Sequence, residues 1–237
     1  MTTVSRRQFL STVAVSAAGL AAACTSTPKP VVLSRAPQPA QPKPEGLSGY
    51  ANAYGQVFDG GFQIPAVPVE RINPKFLRQE VSNTTGEPAG TLVVETGQHF
   101  IYYTMSFGRA MRYGVGLGRE GFEWAGKGEI KWKQPWPKWF PPAEMIDRQP
   151  ELEKYRSSYD KKTDTWLGGM EPGLMNPLGA RAMYIYSEGK DTGFRVHGSP
   201  EWNSIGRSVS SGCVRMMNQD VIDLYDRVKE GTPIVVR

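Results

Sequence analysis

The sequence predicts a mainly β fold with one clear helix near the C-terminus, and three observations support this. TLVVE at 91–95 and HFIYYT at 99–104 are β-branched and aromatic runs separated by a Gly-containing turn, which is typical of a hairpin. Apolar residues recur at helical spacing between Val221 and Val228. TPIVV at 232–236 then closes the chain as a strand.

Other segments fit the same pattern. We predict a third strand over 109–115, and the runs at 181–186 and 192–197 are again strand-like. Asn218 is the expected N-cap of the helix, because its side chain can accept a hydrogen bond from the first turn. Gly231 is its expected stop.

Two stretches show no regular period. Residues 49–89 are rich in Gly, Pro and Asn, and predict an irregular lead-in with one short amphipathic element around 74–81. The segment 120–145 contains four Trp and four Pro. Its aromatic side chains either line a groove for a ligand or cover the sheet. We favour packing, because a buried Trp is usually structural.

The first residues predict export. SRRQFL at 5–10 places a twin arginine ahead of an Ala-rich stretch at 11–23, so residues 1–23 are typical of a twin-arginine signal. The alternative is a transmembrane helix, which needs roughly 20 apolar residues, and this run is shorter and diluted by Ser, Thr and Gly. We therefore expect the protein in the periplasm or cell envelope.

Cys24 follows LAAA, and this resembles a bacterial lipobox in which the Cys becomes the lipidated first residue. Simple cleavage after Ala-x-Ala, or a structural Cys, are the alternatives. Six prolines between Pro28 and Pro44 make residues 24–48 a stiff, extended tether. Membrane attachment is expected only through a lipid anchor.

Composition limits the remaining classes. With 237 residues, of which 39% are hydrophobic, the chain predicts one main domain, at 90–237. The net charge of +5 is scattered among acids, and a nucleic-acid partner is not expected. A slight positive charge suits an anionic wall polymer or only solubility. Two His and two Cys make no credible zinc set, and no metal or organic cofactor is expected.

Cys213 is the candidate for chemistry. It lies in SSGC at 210–213, where small polar residues let the backbone approach a substrate. A thiol becomes nucleophilic when a base or cation favours the thiolate. Arg215 lies two residues on, and His197 ends a predicted strand, whereas His99 is expected in a turn. The alternative is a buried, inert Cys213.

These residues resemble a known family. HG at 197–198, followed by SSGCVR at 210–215, resembles the signature of L,D-transpeptidases, the YkuD-type domain of bacterial cell-wall enzymes. NPLGARA at 176–182 and the C-terminal GTPIVV are also similar, and the resemblance extends over 90–237. The family often has a His directly before GlyCys. That position is Ser211 here, so no role of that second His carries over.

The resemblance implies a sandwich-like β domain in which His197 takes the proton of Cys213. It also implies a thioester with a peptidoglycan stem tetrapeptide, and transfer of the acyl group to an amine. The carbonyl of Gly198 would fix the imidazole tautomer. The groups expected to stabilise the oxyanion are the backbone N–H groups of Gly212 and Cys213 and the hydroxyls of Ser210 and Ser211.

Three further residues are assigned to substrate binding. Arg215 either binds a substrate carboxylate or forms a structural ion pair. Trp202 and Tyr184 are expected to line the pocket. The acceptor is open between a second stem peptide, a D-amino acid and a lysine of an envelope protein. With water as acceptor the enzyme would be an L,D-carboxypeptidase, and a non-catalytic wall-binding lipoprotein is the alternative outside enzymes.

Overall fold

The computed structural model describes residues 52–118, 124–210 and 212–237. The predicted signal, Cys24 and the predicted tether lie outside these residues. Strands dominate the described part, which confirms the mainly β prediction. Within it, no helix has the length and apolar character needed to cross a membrane.

The strands are β1 (Val57–Asp59), β2 (Phe62–Ile64), β3 (Gln79–Ser82), β4 (Leu92–Glu95), β5 (Phe100–Met105), β6 (Arg109–Gly114), β7 (Leu117–Gly118), β8 (Gly126–Pro135), β9 (Ser158–Asp160), β10 (Thr165–Leu167), β11 (Arg181–Ser187), β12 (Lys190–Ser199), β13 (Ser208–Ser210), β14 (Val214–Met217) and β15 (Thr232–Val236). The α-helices are α1 (Ala143–Arg148) and α2 (Asn218–Arg227). Short 3-10 turns lie at Val69–Arg71, Pro74–Phe76, Thr96–Gln98, Pro150–Tyr155 and Trp202–Ser204.

Nine strands form one mixed sheet in the order β14-β12-β11-β8-β15-β4-β5-β6-β3. Most neighbours are antiparallel, whereas β12 with β14 and β15 with β4 are parallel. The hairpins β1-β2 and β9-β10 and the parallel pair β7-β13 form small separate sheets. The parallel pair of β12 and β14 therefore lies at one edge of the main sheet.

The main core fills one face of this sheet and is covered by α2. The helix contributes Val221, Leu224 and Val228, whose spacing places them on one side of the helix. The sheet residues that meet them are apolar and fully buried, and include Ile130, Met183, Ile185, Val196, Val214, Met216 and Ile234. Each such side chain stabilises the fold by about 1.5–3 kcal/mol through burial.

Two segments without a regular sequence period contain strands that the sequence did not predict. The Trp-rich segment contains β8, a ten-residue strand between β11 and β15. Its sequence GKGEIKWKQP is polar because Ile130 is its one fully buried residue among the described positions, so the strand is set by its neighbours rather than by its own pattern. Likewise, 74–81 forms a 3-10 turn and then β3, the edge strand that pairs with β6.

The C-terminal helix is confirmed, but it begins and ends at other residues than predicted. Met217 is the N-cap residue and Asn218 is the first helical residue, because β14 runs directly into α2 and the Asn218 side chain bonds elsewhere. The helix ends at Arg227, since Val228 is already extended. Gly231, with φ of +83°, serves instead in the turn before β15.

Candidate active site

The parallel pairing of β12 with β14 brings His197 and Cys213 together. In this register His197 lies opposite Arg215, two residues beyond Cys213. Val196 directly precedes His197, and Val214 directly precedes Arg215. Both valines belong to the main core, so His197 and Arg215 point to the other face of the sheet. Strand spacing and rise place the α-carbons of His197 and Cys213 roughly 8 Å apart, close enough for their side chains to meet.

His197 is held in one tautomer. Its side chain is 4% exposed, and Nδ1 lies 2.6 Å from the carbonyl oxygen of Gly198. A carbonyl only accepts, so Nδ1 donates and the neutral ring keeps its lone pair on Nε2. Burial lowers the pKa of His197 to about 4, against the opposing effect of the Gly198 hydrogen bond. The imidazole is therefore neutral near pH 7.

Asn218 lies against the residue that carries this carbonyl. Its Oδ1 accepts a hydrogen bond of 2.9 Å from the backbone N–H of Ala180, and both residues pack against Gly198. A Cβ at Gly198 would lie 2.3 Å from Asn218 Oδ1 and 3.1 Å from the Ala180 nitrogen. Only glycine fits between the helix start and the strand, which gives the predicted HisGly pair a physical reason.

Cys213 is partly exposed and lies directly before β14. Gly212 ahead of it has φ of +121°, a conformation that favours glycine, and a Cβ there would lie 3.0 Å from the Phe194 ring. Burial raises the pKa of the Cys213 thiol, while a backbone hydrogen bond from Arg195 and the charges of Arg195 and Arg215 lower it. The resting pair is thus a thiol and a neutral imidazole.

The remaining predicted site residues lie in different surroundings. Arg215 donates to Glu201 at 2.8 Å, forming the ion pair that the sequence left open as its alternative role. Trp202 packs with the lead-in, where the Arg71 guanidinium lies 5.0 Å from its ring centre. The backbone of Ser210 is part of β13, beside β7. Ser211 lies outside the described residues.

Tyr184 leads to a residue that the sequence analysis missed. Tyr184 lies opposite Arg195, whose guanidinium is 4.4 Å from the centre of the Tyr184 ring. Arg195 lies two positions before His197 on the same strand and therefore on the same face. That alternation was a signal in the sequence that could have identified Arg195.

A second missed residue is Asn176. Its buried side chain donates from Nδ2 to the carbonyl oxygens of Pro137, Met170 and Glu171, at 3.0, 3.3 and 3.1 Å. These bonds hold the loop that leads to Ala180, whose backbone N–H bonds Asn218 beside Gly198. Asn176 therefore supports the residues that pack against Gly198.

Metal ligation has no candidate in the described part of the chain, where no group of three or more His, Cys, Asp and Glu side chains could hold an ion. His99 has φ of 59° and ends a 3-10 turn, as expected for a turn residue. Its Nε2 lies 3.1 Å from Ser208 Oγ.

Comparison with known proteins gives relatives of one kind among curated sequences. The probable L,D-transpeptidase ErfK/SrfK of Salmonella typhimurium is 28% identical over 72% of this chain and 48% of its own. Its Escherichia coli namesake is 26% identical over 81% of this chain and 56% of its own. The chain thus spans about half the length of these curated relatives.

A solved structure titled a probable carnitine operon oxidoreductase from Brucella melitensis is 43% identical, covering 70% of this chain and 96% of that chain, with a TM-score of 0.45. The sequence-family model of the L,D-transpeptidase catalytic domain matches residues 89–236. This range includes β4 through β15 and both His197 and Cys213. The chain therefore belongs to the L,D-transpeptidase catalytic domain family.

Proposed function

We propose that this chain is a peptidoglycan L,D-transpeptidase that works through a thioester on Cys213. The observation that carries the proposal is the placement of a neutral, tautomer-fixed His197 on the strand beside a partly exposed Cys213. Membership of the family supports the same reaction class.

In the first half-reaction, Nε2 of His197 takes the proton of the Cys213 thiol, and the sulfur attacks the carbonyl carbon of the third residue of a stem tetrapeptide. The bond from that carbon to the nitrogen of the terminal D-Ala breaks. D-Ala leaves with the proton from the imidazolium, and a thioester remains.

In the second half-reaction, an amine attacks the thioester carbon and loses a proton through His197, and the thiol is restored. The acceptor is the side-chain amine of diaminopimelate on a second stem or a lysine of an envelope protein. The backbone N–H groups of Gly212 and Cys213, with the hydroxyls of Ser210 and Ser211, stabilise the oxyanion.

The N-terminal residues extend the proposal to location. We propose that residues 1–23 direct export and that 24–48 tether the domain in the periplasm, with a lipid on Cys24 as the membrane contact. This arrangement would place the site within reach of the wall.

Incubation of the full chain with disaccharide tetrapeptide, followed by mass spectrometry of the products, tests the reaction. We expect a dimer joined between third residues and released D-Ala. Tripeptide without dimer would identify a carboxypeptidase instead, and unchanged substrate would favour a non-catalytic binder. Cys213→Ala is the control and should leave the substrate intact.

A further inference from the structure

Three side chains outside the Cys-His pair form a row across the main sheet. Trp132 on β8 lies opposite Tyr184 on β11, which lies opposite Arg195 on β12. The Trp132 and Tyr184 rings are stacked with centres 4.2 Å apart, and the Arg195 guanidinium lies 4.4 Å from the Tyr184 ring centre. We call these three residues the aromatic-arginine row.

The row lies on the same face as the candidate nucleophile and begins beside it. The neighbours Met183 and Val196 point into the main core, so Tyr184 and Arg195 point away from it. Because His197 pairs with Arg215, the same register places Arg195 next to Cys213. At the far end the Trp132 side chain is 46% exposed. The row is therefore most accessible at its Trp132 end, whereas the Arg195 side chain is 17% exposed.

The length of the row suits a definite part of the proposed substrate. At about 4.8 Å per strand, Arg195 lies roughly 5 Å and Trp132 roughly 14 Å from the Cys213 position. An extended peptide advances about 3.3–3.6 Å per residue. The substrate group that contacts Trp132 is therefore roughly four chain positions before the acylated residue. In a stem peptide two residues and a lactyl link precede diaminopimelate, so the sugar falls at Trp132.

Arg195 has the chemistry for the first of these units. Its planar fork suits a carboxylate, and the D-glutamate that precedes diaminopimelate carries an α-carboxylate because it is linked through its side chain. In the structure Arg195 holds Asp191 with two bonds of 2.7 Å, and the side chains are 17% and 40% exposed, respectively. The exposure of Asp191 allows a substrate carboxylate to replace it on the guanidinium or to share the guanidinium with it.

We propose that the aromatic-arginine row binds the donor strand of peptidoglycan, with Arg195 on the D-glutamate carboxylate and Trp132 against the muramyl sugar. This inference rests on the proposed function for the identity of the substrate. It adds a specificity: the enzyme prefers a stem whose D-glutamate is a free acid and which is still attached to its glycan.

Calorimetric binding to the full-length Cys213→Ala chain tests the row without turnover. Three ligands are compared: disaccharide tetrapeptide, tetrapeptide without sugars, and disaccharide tetrapeptide with an amidated D-glutamate. Arg195→Gln should weaken binding of the acid ligands about 10-fold and leave the amidated ligand unchanged. Trp132→Ala should weaken only the two disaccharide ligands, also about 10-fold.

Matched controls are available elsewhere in the chain. Arg109 on β6 forms an ion pair with Glu80 on β3, and Trp166 on β10 is exposed. Arg109→Gln and Trp166→Ala should leave the affinity for every ligand unchanged. Arg195→Lys, which keeps the charge and loses the fork, should give an intermediate affinity and guards against misfolding of Arg195→Gln.

Unchanged affinities in both Arg195→Gln and Trp132→Ala would overturn the proposal, as would failure of the parent chain to bind disaccharide tetrapeptide. The proposed function fails on a different result. If the ligand binds through the aromatic-arginine row but the wild-type protein forms no acyl-enzyme, the binding proposal is supported and the proposed reaction is rejected.

Discussion

The Nδ1 atom of His197 lies 2.6 Å from the carbonyl oxygen of Gly198, the next residue in the chain. This bond decides which ring nitrogen can accept a proton, because a neutral imidazole that donates from Nδ1 has its lone pair on Nε2. In the proposed mechanism the Gly198 carbonyl would orient the imidazole as a carboxylate does in other triads. Unlike a carboxylate, this carbonyl places no negative charge next to the buried ring.

Replacement of Gly198 by alanine tests this positioning. The new Cβ would clash with Asn218 Oδ1 at 2.3 Å and would displace the Gly198 peptide with its carbonyl. We expect kcat/KM for stem peptide to fall about 100-fold, since a displacement of about 1 Å can have that effect. Gly97→Ala is the control, because no atom lies within 4 Å of its Cβ position. Full activity in Gly198→Ala would contradict the role of the carbonyl.

The buried imidazole also predicts a dependence of stability on pH. The pKa of His197 is about 4 in the folded protein and lies near 6.5 in an unfolded chain. Between these values the unfolded state binds more protons, so stability falls as the pH falls from about 6.5 to about 4. Protonation at this position in the unfolded chain lowers the free energy of unfolding by an amount on the order of 3 kcal/mol.

Urea unfolding of wild type and His197→Gln at pH 4.5 and 7.5 measures that contribution. The wild type should lose more stability than the variant on acidification, because the variant has no group to protonate at this position. Equal losses in the two proteins would show that the folded-state pKa of His197 is not depressed.

Alkylation of Cys213 by iodoacetamide reports the state of the resting thiol. Because burial raises the pKa of this thiol, its reaction at pH 7 should be slower than that of an exposed cysteine and should still rise above pH 9. Peptide mass spectrometry separates Cys213 from Cys24 in the full chain. A rate that already reaches a plateau near pH 7 would indicate a resting thiolate instead.

Asp220, in the first turn of α2, predicts a stabilising substitution. It is fully buried. Burial raises its pKa to about 7, although the charge of Arg78 and the hydroxyl of Tyr54 lower it. Between about pH 4 and 7 the folded state binds the extra proton, so its stability falls as the pH rises.

Asp220→Asn should therefore raise the free energy of unfolding by about 1–3 kcal/mol at pH 8 and change it little at pH 4. Asp226→Asn, at an exposed position of the same helix, is the control and should have little effect at either pH. A lower stability of Asp220→Asn at pH 8 would mean that the ionised carboxylate stabilises α2.

The sequence predicted the parts of the fold whose own pattern is strong. The hairpin of β4 and β5, the strands β11 and β12, and α2 all show their periodicity in the residues themselves. In contrast, β8 is polar at most positions and gains its stability from β11 and β15 on either side. Tertiary pairing of this kind leaves little signal in a single segment.

The site follows the same division. Cys213, His197 and Gly198 were selected as candidates because their residue types and spacing are unusual in this sequence. Asn218 was assigned to a helix cap, but its side chain bonds Ala180, 38 positions away. Such long-range bonds are set by the packing of α2 on the sheet, which no local pattern reveals.

The most direct measurement is the mass of the full-length protein and of its Cys213 peptide after incubation with a carbapenem. A β-lactam carbonyl is attacked in the same way as the stem carbonyl, and ring opening loses no atoms. We predict one added carbapenem on the peptide that contains Cys213, a much slower addition in His197→Ala, and none in Cys213→Ala. An adduct that persists in Cys213→Ala, or no adduct on the wild-type protein, would contradict the thioester mechanism.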